Sequence, residues 1–347
     1  MSHFKNYKTM IVLFVMCIQS AFIAQEKRIT IPDLLKQFPA QSTEERDRLA
    51  RAIVQSGSEG IIELCRMLVP SGKGDDAQAR YALNGLAHYV SSPAGRKDER
   101  RIVERVYTDA LKASVDAEVK AFLIEQLQLL GHDDSVKPLS HFLMDDRLCD
   151  PAAQALVSIG SSKAEKALLE TLKKSEGKRR IALIKALGEL GSRRAVKTIT
   201  GYTKNQDVDL RQISLWALAN IGDPSSEKIL AEMLKTASPG EYTKAASFYL
   251  LFVERLAQSG KPEACVRICR EFLRDRMDEE DQVRCAALSL LVSVLGEEAF
   301  PDLYAAVDSD SNALRGVALK LAETLGGAST TEEWIGKLRH VPIETEA

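Results

Sequence analysis

One short segment of the sequence combines histidine and aspartate side chains that can bind a metal ion. His132, Asp133 and Asp134 are consecutive, and His141 follows nine residues after His132. Imidazole and carboxylate groups are zinc ligands. With Gly131 in front, however, the same residues have the composition of a tight turn in which an aspartate caps the next helix. The pattern therefore favours a turn over a metal site.

Cysteine is the other residue type whose chemistry needs an assignment. Five cysteines follow residue 24: Cys65, Cys149, Cys265, Cys269 and Cys285. An odd and sparse set is not the framework of a disulfide-rich domain. Cys265, Cys269 and Cys285 lack a fourth ligand nearby, which disfavours zinc. Buried thiols are the favoured interpretation, and a disulfide from Cys285 to Cys265 or Cys269 stays open.

No motif of a known catalytic site occurs. Ser71–Asp76 (SGKGDD) contains Gly-Lys but lacks the glycine spacing and the hydroxyl residue of a phosphate-binding loop. The chain also lacks Gly-x-Ser-x-Gly, His-Glu-x-x-His and Gly-x-Gly-x-x-Gly. Neighbouring acids such as Glu297 and Glu298 fall in predicted turns. We therefore expect neither an enzyme nor a bound cofactor.

Composition points to a folded, helix-rich chain. Of the 347 residues, 45% are hydrophobic, 28% charged and only 6% aromatic. Such values exclude a disordered protein and favour helices rich in Ala, Leu, Lys and Glu. The 47 basic and 49 acidic residues leave a net charge of −2, which argues against a dedicated nucleic-acid-binding protein.

The N-terminus has the pattern of an export signal. Lys5 and Lys8 precede an apolar run from Met10 to Ile18, which is too short to span a bilayer comfortably. A positive head followed by a short apolar core is typical of a cleaved secretory signal peptide. We assign it to residues 1–24 and expect a periplasmic or cell-envelope protein with no stable membrane span after cleavage. An uncleaved anchor is the alternative.

Glycines recur along the rest of the chain at 29 to 38 residues from one another, each after an apolar stretch. Regular recurrence at this period indicates a repeat protein built of helix pairs. The nine glycines are Gly57, Gly95, Gly131, Gly160, Gly191, Gly222, Gly260, Gly296 and Gly326.

Alignment on these turn glycines predicts the helices on either side. Each glycine is expected to end a first helix in the left-handed conformation, after which a second helix packs back antiparallel. The residue four before the glycine is apolar in every repeat except at Ser91. The residue eight after it is always apolar: Cys65, Val103, Leu139, Leu168, Ile199, Leu230, Ile268, Tyr304 and Trp334. One pair cannot bury both apolar faces, so the pairs must stack.

Two segments, Val208–Leu234 and Val119–Leu143, resemble bacterial HEAT-like repeats, including the bilin-lyase branch of that family. The pattern is an aliphatic-basic pair near the start of the first helix, Ala and Leu within it, then Gly-Asp and a second apolar helix. The resemblance covers roughly residues 115 to 326 and implies an all-α protein, an α-solenoid in which about nine helix pairs form a superhelix. It also implies a binding scaffold. The basic residues of the pattern are Lys120, Arg180, Arg211, Arg284 and Arg315.

The remaining boundaries follow from the ends of the array. Residues 25–43 are interpreted as a lead-in segment, with Ser42 or Thr43 capping the first helix. Residues 44–340 form the predicted solenoid, and residues 341–347 a frayed tail.

Basic residues recur on the predicted second helices. Six and thirteen residues after successive glycines stand lysines that point away from the apolar position, so they are expected on the exposed face. Second helices commonly line the concave, binding face of a solenoid. From Lys163 to Lys204, 12 basic residues against 4 acidic ones give +8, which leaves −10 for the rest of the chain. The candidate binding residues are Lys137, Lys166, Lys173, Lys197, Lys204, Lys228, Lys235, Arg193 and Arg194.

Together these observations predict an exported, non-catalytic scaffold that binds another macromolecule through its concave face. The basic middle repeats favour an anionic partner, either a protein or an acidic polysaccharide at the cell envelope. Two alternatives remain: an accessory module of a sugar-processing enzyme, carried on a separate or longer polypeptide, and a bilin-lyase-like enzyme, against which export argues.

Overall fold

The computed structural model describes residues 30–92, 96–274 and 281–325, and within these residues it contains helices and no β-strand. The chain divides into two compact units, residues 1–139 and 140–347. The sequence analysis treated residues 44–340 as one array. An all-α solenoid built of helix pairs is confirmed.

The first unit contains three helix pairs behind a short leading helix. Its first helices α2, α4 and α6 pack on one another in chain order, and each also packs against a second helix. The boundary between the units falls at the end of α7. The helices are α1 (Ile31–Leu35), α2 (Thr43–Gln55), α3 (Gly57–Arg66), α4 (Ala77–Ser91), α5 (Lys97–Ala113), α6 (Ala117–Leu130) and α7 (Asp133–Ser140).

The second unit repeats the same arrangement. Its first helices α8, α10, α12, α14, α16 and α18 form a continuous stack in which each packs on the next. The helices are α8 (Cys149–Ile159), α9 (Ser162–Leu172), α10 (Gly177–Glu189), α11 (Val196–Thr200), α12 (Val208–Ile221), α13 (Glu227–Thr236), α14 (Pro239–Gln258), α15 (Pro262–Arg274), α16 (Asp281–Leu295), α17 (Phe300–Val307) and α18 (Asn312–Leu325). Single 3₁₀ turns precede α11, α13 and α17.

The turn glycines have the predicted conformation at six of the seven described positions. Gly160 and Gly222, for example, have φ of 63° and 65° and end α8 and α12. Such values favour glycine because a Cβ atom would clash with the backbone. Gly131 is the exception, and the prediction is wrong there: its φ is −64° and its ψ 153°. A carboxylate from another helix closes that turn, as described below.

The aligned apolar positions form the core. Leu127, Leu156, Leu187 and Leu218, each four residues before a glycine, are completely or almost completely buried. The described positions eight after the glycines are also buried, except that Tyr304 is only half-buried and its neighbour Leu303 is fully buried instead. The 3₁₀ turn Gly296–Ala299 shifts the register of α17 by one residue.

The start of the array differs in one respect from the sequence prediction. Ser42 is the N-cap of α2, as expected, and its hydroxyl accepts a hydrogen bond of 3.1 Å from the Glu45 amide. The lead-in, however, contains the helix α1, which begins at Ile31 with Thr30 as its cap.

Several predictions lie outside the described residues. These are the signal peptide (residues 1–24), the first part of the lead-in (residues 25–29), the turn glycines Gly95 and Gly326, Trp334, and the tail (residues 341–347). No described helix combines the length and apolarity needed to cross a bilayer.

Candidate functional site

All nine basic residues that the sequence analysis selected are exposed. Lys137 lies on α7 in the first unit, and the other eight lie in the second unit. The lysines six after the glycine lie on α9, α11 and α13. The lysines thirteen after it lie at or just beyond the C-terminal ends of the same helices. The second unit therefore presents cationic side chains along its second helices.

Within the described residues, most of these lysines form no ion pair. Lys166 contacts Glu170 at 3.8 Å, and Arg194 contacts Glu165 at 3.2 Å. Among the described residues, no ion pair involves Lys173, Lys197, Lys204, Lys228 or Lys235. Lys228 and Glu232, four residues apart on α13, form no ion pair with each other. These charges are therefore available to a ligand.

Lys204 and Lys228 line one groove, which we call the α12–α14 groove. It has a volume of about 720 Å³ and lies among the end of α11, the loop that follows, and helices α12, α13 and α14. Because α11 is only five residues long, the row of second helices leaves an opening beside α13. The groove has a volume in the range of small-molecule and peptide pockets.

The floor of the α12–α14 groove is apolar. Ile229 and Met233 of α13 and Phe248 of α14 are half-buried, and they pack on a core cluster that includes Leu215. Ala245 completes the floor from α14. The groove is therefore an opening onto the edge of the hydrophobic core.

The charges around this floor are mostly positive. Lys204, Arg211, Lys228 and Lys244 line the groove together with Glu232 and Glu241. The Arg211 side chain donates a hydrogen bond of 2.8 Å to the carbonyl of Asn205, and Lys244 donates to the side chain of Gln212. Glu241 accepts a hydrogen bond of 2.7 Å from Ser238. Lys204, Lys228 and Glu232 thus differ from these three in having no side-chain hydrogen bond or ion pair within the described chain.

A second groove, of about 470 Å³, adjoins the first on the side of the first helices. The two grooves share Gln212, Lys244 and Phe248. The second groove adds the half-buried Ile213 and Trp216. Trp216 lies against α10 where Gly188 has no side chain: a Cβ there would approach the Trp216 ring to 3.0 Å. An aromatic side chain is thereby present in each groove.

The basic residues of the repeat pattern have a different role. Arg180, Arg211 and Arg315 each stand fourth in a first helix and donate to a backbone carbonyl five or six residues earlier, in the loop between repeats. Arg80 makes the same kind of contact with the carbonyl of Val69, at 3.0 Å. These arginines satisfy loop carbonyls and hold the connection between repeats.

The histidine and aspartate turn is organised by a buried carboxylate. Glu104 of α5 is 4% exposed and accepts hydrogen bonds from the His132 amide at 2.8 Å and the Ser135 hydroxyl at 2.6 Å. It thereby pairs two donors at the N-terminus of α7. This contact holds the turn without a left-handed residue, which explains the extended conformation of Gly131. The described residues contain no group of three or more side chains arranged to hold a metal ion.

The described cysteines are free thiols. Cys265 and Cys269 are fully buried one helical turn apart, with their sulfur atoms 3.9 Å from each other. Their hydrogen bond lowers the pKa of Cys265 and raises that of Cys269. Burial raises the pKa of Cys65 to about 12. The predicted role as buried small hydrophobes fits four of the five, while Cys285 is half-exposed.

The stacked pairs of antiparallel helices in this protein form an α-solenoid. Residues 165–251, which include all the lining residues of both grooves, match the family model of HEAT repeats. This segment is therefore similar to HEAT repeats.

Several solved structures are similar to the chain. The complex of CpcE and CpcF of phycocyanin lyase from Nostoc sp. PCC7120 is 16% identical, over 78% of this chain and 94% of that chain, with a TM-score of 0.40. Importin beta is 16% identical, over 91% of this chain and 48% of that chain, with a TM-score of 0.46. An engineered protein is 18% identical, over 88% and 92%, with a TM-score of 0.37. Comparison with curated proteins finds no match.

The sequence analysis found two of the residues that line the α12–α14 groove, Lys204 and Lys228, and missed its floor. Ile229, Met233 and Phe248 fit the apolar pattern of ordinary core positions, so their partial exposure gave no sequence signal. Trp216 could have been singled out, because it is one of only 2 tryptophans in the chain.

Proposed function

We propose that this protein is an exported, non-catalytic scaffold that binds an anionic macromolecule through the second helices of its second unit. The observation that carries the proposal is the set of exposed lysines on and beside α9, α11 and α13 that form no ion pair in the described chain. A cluster of unpaired cations attracts an anionic surface even when the net charge of the protein is close to zero.

Two partner classes fit this surface, an acidic protein and an acidic polysaccharide. The test uses immobilised poly-glutamate as the anionic polypeptide and polygalacturonate as the acidic polysaccharide, with binding measured by biolayer interferometry. The variant carries Lys173→Glu, Lys197→Glu and Lys235→Glu. The matched control carries Lys73→Glu, Lys97→Glu and Lys112→Glu, three exposed lysines of the first unit.

Both triple variants have the same net charge, so only the position of the charge differs. We expect the second-unit variant to lose about tenfold or more in affinity at low salt and the control to change less than about twofold, because exposed charges act within about one Debye length. Equal losses in the two variants, or no loss in either, would refute the proposed surface.

Export is tested separately from binding. The mature protein is expected to begin after Ala21 or Ala24 and to be recovered in the envelope fraction. N-terminal sequencing of the protein purified from its native host measures this directly. A chain that retains residues 1–24 and remains in the cytoplasm would contradict export. The proposed binding surface would not be affected, because the interferometry experiment tests it independently.

A further inference from the structure

We propose that the α12–α14 groove and the adjoining groove together bind a segment of a partner polypeptide in which two apolar side chains are separated by acidic residues. The inference rests on the proposed scaffold function and names the chemistry of the partner. It follows from three observations: an apolar floor, a cationic rim, and the connection between the two grooves.

The apolar floor requires an apolar ligand group. Ile229, Met233 and Phe248 lie half-exposed directly over the buried cluster around Leu215. An apolar side chain placed on them removes their remaining surface from water, which is the main favourable contribution to burial. A polysaccharide of uronic acids offers carboxylates but little apolar surface. The floor therefore favours a polypeptide.

The lysines that line the α12–α14 groove, which form its cationic rim, favour a ligand that carries carboxylates. Lys204 and Lys228 face the groove without an ion pair in the described chain, whereas Arg211 and Lys244 already donate to Asn205 and Gln212. The acidic residues that line the same groove are Glu232 and Glu241, and Glu241 already accepts a hydrogen bond from Ser238. An acidic peptide brings opposite charge to both lysines, while a basic peptide places like charges beside them. Such like-charge contacts suppress binding of the wrong partner.

The connection between the grooves sets the spacing of the apolar groups. Gln212 and Lys244 are hydrogen-bonded to each other and line both grooves, with Phe248 beside them. Met233 lies on one side of this bridge and Trp216 on the other. One apolar side chain of the ligand fits on each side, and the polar bridge between them faces the acidic part of the segment.

A random peptide library displayed on phage tests the inference without a known partner. The full chain is the bait, and selected sequences are compared with the unselected library. We expect enrichment of segments that hold two apolar residues with Asp or Glu between them. Enrichment of basic or uncharged sequences, or no enrichment at all, would overturn the proposal.

Variants then locate the binding of the selected peptides. The groove variants are Lys204→Glu with Lys228→Glu, which reverses the rim, and Phe248→Ala, which removes the shared aromatic ring. The matched control is Lys73→Glu with Lys97→Glu, an equal charge change at exposed lysines of the first unit that line neither groove. Circular dichroism melting checks that each variant is folded.

The expected result is a loss of about tenfold or more in peptide affinity for each groove variant, with less than about twofold for the control. If the control weakens the peptides as much as Lys204→Glu with Lys228→Glu does, and Phe248→Ala does not weaken them, the peptides respond to net charge and not to the grooves, and the inference fails. The poly-glutamate experiment then decides the proposed function on its own. If the triple variant Lys173→Glu, Lys197→Glu and Lys235→Glu binds poly-glutamate as well as the wild type does, the proposed function fails instead. Displacement of the peptides from wild-type protein by polygalacturonate at equal carboxylate concentration would overturn the polypeptide assignment.

Discussion

Leu187 is fully buried in α10, four residues before the left-handed Gly191. The same pair of an apolar residue and a left-handed glycine recurs at Leu156 with Gly160 and at Leu218 with Gly222. These positions could be predicted from the sequence because each depends only on residues close to it in the chain. Gly131 could not, because Glu104, 27 residues earlier, organises its turn.

Leu187→Ala is expected to destabilise the second unit by about 2–5 kcal/mol, because it removes buried methyl groups and leaves a cavity at a fully buried site. Urea unfolding followed by circular dichroism measures the change. The control is Val208→Ala, at a position that is 51% exposed at the start of α12, where a change within about 0.5 kcal/mol is expected. Equal effects at the two positions would contradict the burial of Leu187.

Thiol reactivity should follow burial. Alkylation requires the thiolate, and burial raises the pKa of Cys65 to about 12 and that of Cys149 to about 11. Cys285 is half-exposed. We expect iodoacetamide at pH 8 to modify Cys285 first and Cys65 among the last, as measured by peptide mass spectrometry. Cys285→Ser should remove the fast phase, and modification of Cys65 at the rate of Cys285 would contradict the structure.

At the scale of single helices, the short α11 determines where the candidate site lies. The sequence from Val196 to Lys204 continues the repeat pattern. Ile199 stands at the expected apolar position, and Lys204 stands thirteen residues after Gly191, where the pattern places a lysine. In the structure the helix ends at Thr200 and a loop follows. This ending opens the α12–α14 groove beside α13. Helix ends are the least reliable part of a sequence prediction, so the groove could not be predicted from the pattern.

The arginine at the fourth position of a first helix connects that helix to the loop before it. Arg180 donates from Nε and from a terminal nitrogen to the carbonyl of Ser175, and its guanidinium lies 5.0 Å from the centre of the Tyr202 ring. A lysine has one ammonium group and cannot reproduce this planar fork. The sequence analysis assigned this position to the repeat pattern without a physical role.

Arg180→Lys is therefore expected to lower the unfolding free energy by about 1–2 kcal/mol, through the lost hydrogen bond and the lost contact with the ring. Thermal and urea unfolding measure it. Lys178→Ala changes an exposed residue of the same helix and should have little effect. A stability of Arg180→Lys equal to that of the wild type would show that the Ser175 carbonyl does not depend on this arginine.

At the scale of the whole molecule, the stacking of first helices was predictable, and the division into two compact units was not. The repeat period requires each pair to cover its neighbour, and the stack from α8 to α18 does so. The unit boundary falls after Leu139, where the glycines Gly131 and Gly160 keep a spacing of 29 residues within the ordinary range. Nothing in the repeat pattern distinguishes this boundary from the other connections.

The stack also predicts how a local defect spreads. In a repeat array the stability is approximately a sum of each repeat and its contacts with neighbours. Helix α10 packs on α8, α9 and α12. Leu187→Ala should therefore accelerate amide hydrogen exchange most in α8 to α12 and progressively less towards α16 and α18, as measured by mass spectrometry under native conditions. A single cooperative core would instead lose protection evenly across the second unit. Even acceleration would thus contradict the nearest-neighbour organisation on which the proposed binding surface depends.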